Sequence, residues 1–357
     1  MPEFLGKKYT KQEMLRRFGN MSVIGGVRTS TVEGGKASGI RIHDVTSGQL
    51  EYTVMESRNL DIWNLKYKGI PLNFLSKCGP VNVGLADRAG MNFLYSVTGG
   101  MIYTCGFGNV GGEYTDDSGS DHFHGKIRFE PADKVKVTSD WKGDNYIVGV
   151  AGESRESGLF RTNIALNRDI TSVVGENSLR LHDTIENQSF VENPFMLMYH
   201  VNCGFPIVDE GSEVYIPSAS REAMNDEAKK QFDNWQFTTA PDDAAVESVY
   251  LHRLLHDKNG KAVAATWNPK LKLGVMIEFP TDVLCNMIEW RCMASGDYVL
   301  GMQPTNCHAS GRQLEIDRGT LKHIAPFEKL ETEIKLTVLD GTRAFNAFKK
   351  KFDACTL

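Results

Sequence analysis

The stretch DHFHGKIRFEPA, residues 121–132, sets His122 and His124 one position apart, with Glu130 on the same parity. On a strand, side-chain direction repeats every two residues, so both rings and the carboxylate would face one side. Such a set has the outline of a cation-binding array, and the same imidazoles suit a hydrogen bond to a sugar hydroxyl. Glu130 is distant for a metal array and no matching second half follows it. The loop TDDSGS, residues 115–120, also runs directly into His122.

A second histidine lies in PFMLMYHVNCGFPIVDEG, residues 194–211. The alternation predicts a strand with Met196, Met198, His200 and Asn202 on one face and Leu197 and Tyr199 on the other. A lone strand histidine is by default a hydrogen-bonded core residue. Asn202 on the same face, followed by Cys-Gly and a Phe-Pro turn, points instead to a site at a strand end.

Three further groups have two readings each. Arg58 and Asp61, in MESRNLDIWNLKYKGIPL (55–72), are either a local ion pair at a turn or an arginine fork offered to hydroxyls or an anion. Trp290, in MIEWRCMASGDYVLGMQPTN (287–306), is either a half-buried core residue or a platform for the apolar face of a sugar. The glycine-rich GGMIYTCGFGNVGG (99–112) matches neither a P-loop nor a dinucleotide fingerprint. Its glycines allow backbone to approach backbone, or a ligand.

The elements that must hold these groups are mostly strands. Short runs such as GIRIHDV, LEYTVME, LDIWNLKY, KVKVTSDW, NYIVGVAGE, LRLHDTIE, EVYIP, ESVYLHRLL, AVAATWN, LGVMIEFP and EIKLTVLD are β-branched or alternating, and Gly, Asn, Asp or Pro bound them. Helical signals are few: TKQEMLRRFGN with Thr10 as N-cap, a short helical or irregular insertion over 222–235, and a terminal helix over 343–354. The pattern predicts a mainly β protein, a large sandwich, with residues 1–30 as a helical or extended lead-in and 31–357 as one β domain.

Composition narrows the function classes. With 41% hydrophobic and 24% charged residues over 357 positions, a substantial core is available. The net charge of −5 and the absence of a basic tract argue against nucleic acid or an anionic membrane as partner. Seven scattered cysteines without a C-x-x-C pair suit reduced thiols, and no signal peptide or spanning run is evident, so a cytoplasmic location is expected.

Taken in order, ESRNLDI, GGMIYTCGFGNVGG, HGKIRFEPA, MYHVNCGFPIVDEG, ESVYLH and YVLGMQPTNCHASGR resemble the galactose mutarotase (aldose 1-epimerase) superfamily, in its aldose-1-epimerase-like branch. The likeness runs from about residue 35 to 340. It implies a β-supersandwich with an open carbohydrate cleft. It further implies that His124 contacts the sugar, that His200 is the acid toward the ring oxygen, that Glu247 holds hydroxyls and that Arg58 lines the cleft. His122 has no counterpart in the motif.

One position departs from the family pattern. Where mutarotases carry a glutamate as base, this chain has Gln303, and a carboxamide cannot take a proton from the anomeric hydroxyl. Glu289, Glu247, Asp209, His124 or His200 would have to supply the base. The resulting expectation is a sugar mutarotase acting by acid/base ring opening at C1, with His200, His124 and Gln303 at the reacting centre. Arg58, Glu247, Asn202, Trp290 and Asp61 would contact substrate, and no cofactor is needed. Two alternatives stand beside it: a divalent-metal isomerase using His124, His200 and Glu247, and a carbohydrate-binding protein without catalysis. A purely structural interaction protein fits the polar cleft motifs least. Arg58, Arg128 and Arg312 leave room for an acidic sugar, and a homodimer is compatible with the sequence.

Overall fold

In the computed structural model, residues 2–4, 6–117 and 119–357 are described. Strand is the main regular structure, arranged chiefly as two large antiparallel sheets whose inner faces share one core. The larger sheet runs Ser218–Ala223, Ser248–Leu254, Asn286–Cys292, Val299–Thr305, Met196–Cys203, Ile102–Phe107, Asp61–Tyr67, Leu50–Met55, Arg41–Ser47 and Gly25–Thr31. The smaller runs Asp133–Lys142, Asn145–Ser157, Asn163–Val173, Ser178–Asn187, Lys329–Asp340, Leu273–Pro280, Lys261–Asn268 and Glu213–Tyr215.

Period-two alternation decides which side chains meet between the sheets. Leu197, Tyr199 and Val201 of the larger sheet join Leu166, Leu181, Ile277 and Leu336 of the smaller in one apolar cluster. Met196 and Met198 turn away from it into a second cluster on the outer face of the larger sheet. All eight residues of Met196–Cys203 are buried, because irregular segments cover that outer face in the middle of the sheet. The space between sheet and cover is where a ligand would enter.

The helices are peripheral. Lys11–Leu15 carries the predicted Thr10 cap, with Thr10 and Glu13 forming a reciprocal capping box. The insertion contains Asp226–Lys230, and Gly341–Phe352 packs Phe345 and Phe348 against Trp267 and Tyr215 on the back of the smaller sheet. No described helix is long and apolar enough to cross a membrane.

The structure corrects the strand expected around His122 and His124. Strand Gly119–Asp121 ends just before them, residues 123 and 124 form a turn, and Ile127–Phe129 is a 3-10 turn. His124 sits at φ +60°, in the left-handed region. The two rings therefore do not share a strand face, and Glu130 follows no parity with them.

Candidate functional site

Antiparallel register brings the chemistry-bearing side chains to the centre of the larger sheet. His200 lies opposite Tyr103, and Gly301 lies opposite both Asn202 and Trp290 in the two neighbouring strands. His200, Asn202, Gln303 and Trp290 all face the outer side. There they line a cleft of about 400 Å³ together with Tyr103, His124 and Glu247, a size that suits a small organic ligand.

Gly301 makes this convergence sterically feasible. A Cβ at that position would sit 2.7 Å from the Gln303 Nε2 and 3.4 Å from the Asn202 Oδ1. A side chain there would evict the glutamine from beside His200.

Hydrogen bonding fixes the protonation pattern of His200. The Asn202 Nδ2 donates to the carbonyls of Gly100 (3.1 Å) and His200 (3.3 Å), so its Oδ1 faces the imidazole. That oxygen lies 2.5 Å from His200 Nδ1, which must therefore carry the proton. Nε2 is then a bare lone pair, and the Gln303 amide N–H donates to it over 3.0 Å. Burial pushes the His200 pKa down to about 3, with the nearby Arg128 charge adding to the shift and the Asn202 bond opposing it. The ring is neutral at ordinary pH.

His124 has the opposite tautomer. Its Nδ1 accepts the Gly111 N–H at 3.1 Å, so a neutral ring carries its proton on Nε2. Burial, then the neighbouring His200 and Arg128, hold its pKa well below the ordinary value. The turn that presents it is laid against the glycine-rich strand end: Gly106 N–H donates to the His124 carbonyl, and His124 N–H to the Gly111 carbonyl. A Cβ on Gly125 would lie 2.1 Å from the Gly106 oxygen, so these glycines serve mainly the approach of backbone to backbone.

Aromatic rings pack around both imidazoles. Tyr103 stacks on His200 at 4.4 Å, Trp290 meets it edge-on at 5.2 Å, and the His124 and His200 centroids are 6.0 Å apart. Phe123 lies against His124 and stacks on Phe93, which comes from the 3-10 segment Gly90–Ser96. A mostly apolar box with two oriented imidazoles can bind a small hydroxylated ligand and exchange one proton with it.

The predicted residues divide into two groups. His200, His124, Gln303, Asn202, Trp290 and Glu247 are assembled in the cleft, with Glu247 accepting the Trp290 indole N–H at 2.7 Å. Arg58 and Asp61 are not among its lining residues, and although the Asp61 backbone N–H donates to the Arg58 carbonyl, their side chains do not pair. Arg58 is tied to the Val81 carbonyl, and Asp61 is bound by Arg168 and Thr104. Burial raises the Asp61 pKa to about 6 against those bonds.

Of the alternative bases, Glu289 lies on the inner face, sealed beside His252, and Asp209 is in a loop outside the cleft. Arg312 is committed to Asp121 and to the Gly108 carbonyl. His122 packs against Phe129 instead of facing the cleft. Among the described residues, no three His, Cys, Asp or Glu side chains converge as a metal site would require, the trio His124, His200 and Glu247 included. The reading of His200 as acid also changes, because its cleft-facing Nε2 carries no proton.

Sequence reasoning did not single out Tyr103, Phe93 or Phe123. Tyr103 was accessible in principle, since MIYTC alternates as a strand and Tyr103 shares parity with Cys105. The two phenylalanines come from irregular segments that have no period to read.

Residues 37–338 match the family described as Domain of unknown function (DUF4432), and the chain belongs to that family. No curated protein matches it significantly. Among solved structures, it is similar to a "putative aldose 1-epimerase" from Klebsiella pneumoniae at 25% identity and a TM-score of 0.86, over 92% of this chain and 87% of that one. A galactose mutarotase-like protein from Clostridium acetobutylicum shares the fold at 15% identity and a TM-score of 0.59, over 88% and 98%. So does a galactose 1-epimerase from Lactobacillus acidophilus, at 11% identity and a TM-score of 0.56, over 88% and 99%. The superfamily implied by the order of the motifs is thus shown, and with it the mainly β galactose mutarotase-like fold.

Proposed function

We propose that the cleft binds a monosaccharide and interconverts its anomers, with His200 as the group that carries the proton. The observation behind this reading is the fixed tautomer of His200, whose bare Nε2 faces the cleft with only an amide N–H upon it. A sugar anomeric hydroxyl would replace the Gln303 N–H at that lone pair. The O1 proton passes to Nε2 as the C1–O5 bond breaks and C1=O1 forms, and the same proton then moves to O5. Rotation about C1–C2 and the reverse sequence give the other anomer. One imidazole serves both halves because O1 and O5 are attached to the same carbon.

The remaining groups would orient substrate and support charge. His124 would offer its Nε2–H to the ring oxygen, where negative charge develops, in the manner of a neutral imidazole acting as electrophile. Asn202 would steady the imidazolium through Nδ1. Trp290 and Glu247 would receive the apolar face and a hydroxyl of the ring. Gln303 would be a donor to O1 and not a base, and the scheme calls for no metal or cofactor.

A second reading, sugar binding without exchange, draws on the same Gln303 contact, which occupies the lone pair in the free protein. Magnetisation-transfer NMR over a panel of free sugars tests both. Exchange with at least one sugar, lost in His200→Ala, supports the isomerase. Saturable binding with no exchange leaves the binding protein, and neither result with any sugar removes both readings.

A further inference from the structure

Tyr103 also lines a recess of about 20 Å³, which His200 does not reach and which Arg58, Asp61 and Arg128 line with it. That exceeds the ~10–15 Å³ needed to admit one water-sized group. Val97, Gly99 and Tyr103 line both the recess and the cleft, so the two are neighbours.

The arginines at this recess are buried and incompletely bonded. Arg58 is 7% exposed and Arg128 5%. Arg58 Nε has no partner, and neither does Arg128 Nε nor Arg128 Nη2. Arg58 and Arg128 both lie over the Phe129 ring, at 5.7 and 4.3 Å, and Arg128 also over Phe93 at 4.9 Å. These faces hold the guanidinium planes but accept no N–H in the plane of the fork. A buried donor without an acceptor is costly, and a buried charge without a counter-charge more so.

The nearby acids are already taken. Arg168 binds both Asp61 (3.0 Å) and Asp183 (2.7 Å). Arg58, Arg128 and Arg168 against Asp61 and Asp183 make three buried cations to two buried anions, an excess of one positive charge. Arg88, lying 4.6 Å over the same Phe129, adds to it from a half-buried position. Burial and then the Arg128 charge lower the Arg58 pKa to about 10, and burial, with Arg88 as the opposing like charge, lowers that of Arg128.

We infer that Arg58 and Arg128 form an oxyanion subsite, and that the sugar taken into the cleft bears an anionic substituent (carboxylate, phosphate or sulfonate) with an oxygen in this recess. The inference rests on the sugar reading of the cleft and adds the substrate class to it. An oxyanion would supply the acceptors that the guanidinium N–H groups lack and the charge that the cluster lacks.

The test is calorimetric binding at low salt of hexoses, hexuronates and hexose 6-phosphates in gluco and galacto configuration. An acidic sugar is expected to bind about 10- to 100-fold more tightly than its neutral counterpart, the worth of a charge-assisted contact. Arg128→Gln should remove that preference. Arg128→Lys keeps the charge if the glutamine variant does not fold, and should retain only part of it. Equal binding of acidic and neutral sugars to the wild type, or a preference that survives both substitutions, overturns the subsite while leaving the sugar reading intact. If no sugar binds, the sugar reading fails, and sulfate decides the subsite. A saturable rise in melting temperature with sulfate, lost in Arg128→Lys, upholds an anion site, and no rise overturns it.

Discussion

Two histidines on opposite faces of the same sheet carry very different surroundings. His252 faces inward, with Ser218 Oγ 2.7 Å from Nδ1 and Glu289 Oε2 3.3 Å from Nε2, and both His252 and Glu289 are fully buried. His200 faces the cleft and has only carboxamides, Asn202 and Gln303, at its two nitrogens. By residue type alone, the Ser-His-Glu set looks the more reactive. It lines neither the cleft nor the recess, and the Ser218 hydroxyl donates to the Ile216 carbonyl. Access, more than the familiarity of the constellation, separates a reactive group from a structural one. The carboxylate serves packing here, and the amides leave a lone pair open to a ligand.

The sharpest way to break this contrast is to remove each ring in turn. His200→Ala should lower anomer exchange about 10²- to 10⁴-fold, the range of general acid–base assistance, with the folded protein retained. Magnetisation transfer and circular dichroism on the same sample would show it. His252→Ala should act on stability instead, costing about 3–5 kcal/mol because Glu289 is left buried beside a vacated partner. Denaturant titration would measure that, and exchange per folded molecule should stay at the wild-type level. Loss of exchange in the second variant with stability intact would reverse the assignment.

Acidity offers a finer cut. His200 has a pKa lowered from 6.5 to about 3, so its bare Nε2 persists as pH falls, and exchange should stay level from pH 8 to about 4. Loss near pH 6.5 would mean an ordinary, solvated imidazole. The same shift has a stability consequence of definite sign. The unfolded chain takes up this proton near 6.5 and the folded one only near 3, so stability declines as pH drops through that window. Gln303→Glu should move the His200 midpoint upward by a unit or more, readable by NMR titration of the ring, since it sets a carboxylate beside Nε2. The smallest effect expected is that of Trp290→Phe, which deletes the hydrogen bond to Glu247 and should weaken sugar binding about three-fold.

Strand alternation made most of the fold legible before any coordinates. The parity of Met196–Cys203 placed Leu197 and Tyr199 in one environment and Met198, His200 and Asn202 in another, as found. The same rule, applied to Asn286–Cys292, would have put Glu289 on the face opposite Trp290 and so out of the cleft. Parity failed where there is no strand. The turn bearing His122 and His124 is held by backbone contacts to a distant glycine-rich segment, which no local pattern announces. Arg58 falls beside the cleft and not within it for a related reason: its carbonyl partner, Val81, is 23 residues away in irregular chain. The cover over the cleft, with Phe93 and Phe123, is likewise aperiodic.

The edge-on contact between Trp290 and His200 has an optical consequence. Of the five tryptophans, Trp290 alone lines the cleft, and its indole lies 5.2 Å from the imidazole. A protonated imidazole drains an excited indole by electron transfer, and a neutral one does so poorly. The brightness of this one residue is therefore coupled to where the His200 proton resides, so the fold contains its own indicator dye. Replacing the other four tryptophans by phenylalanine would leave a protein whose emission follows ligand arrival and protonation at the site.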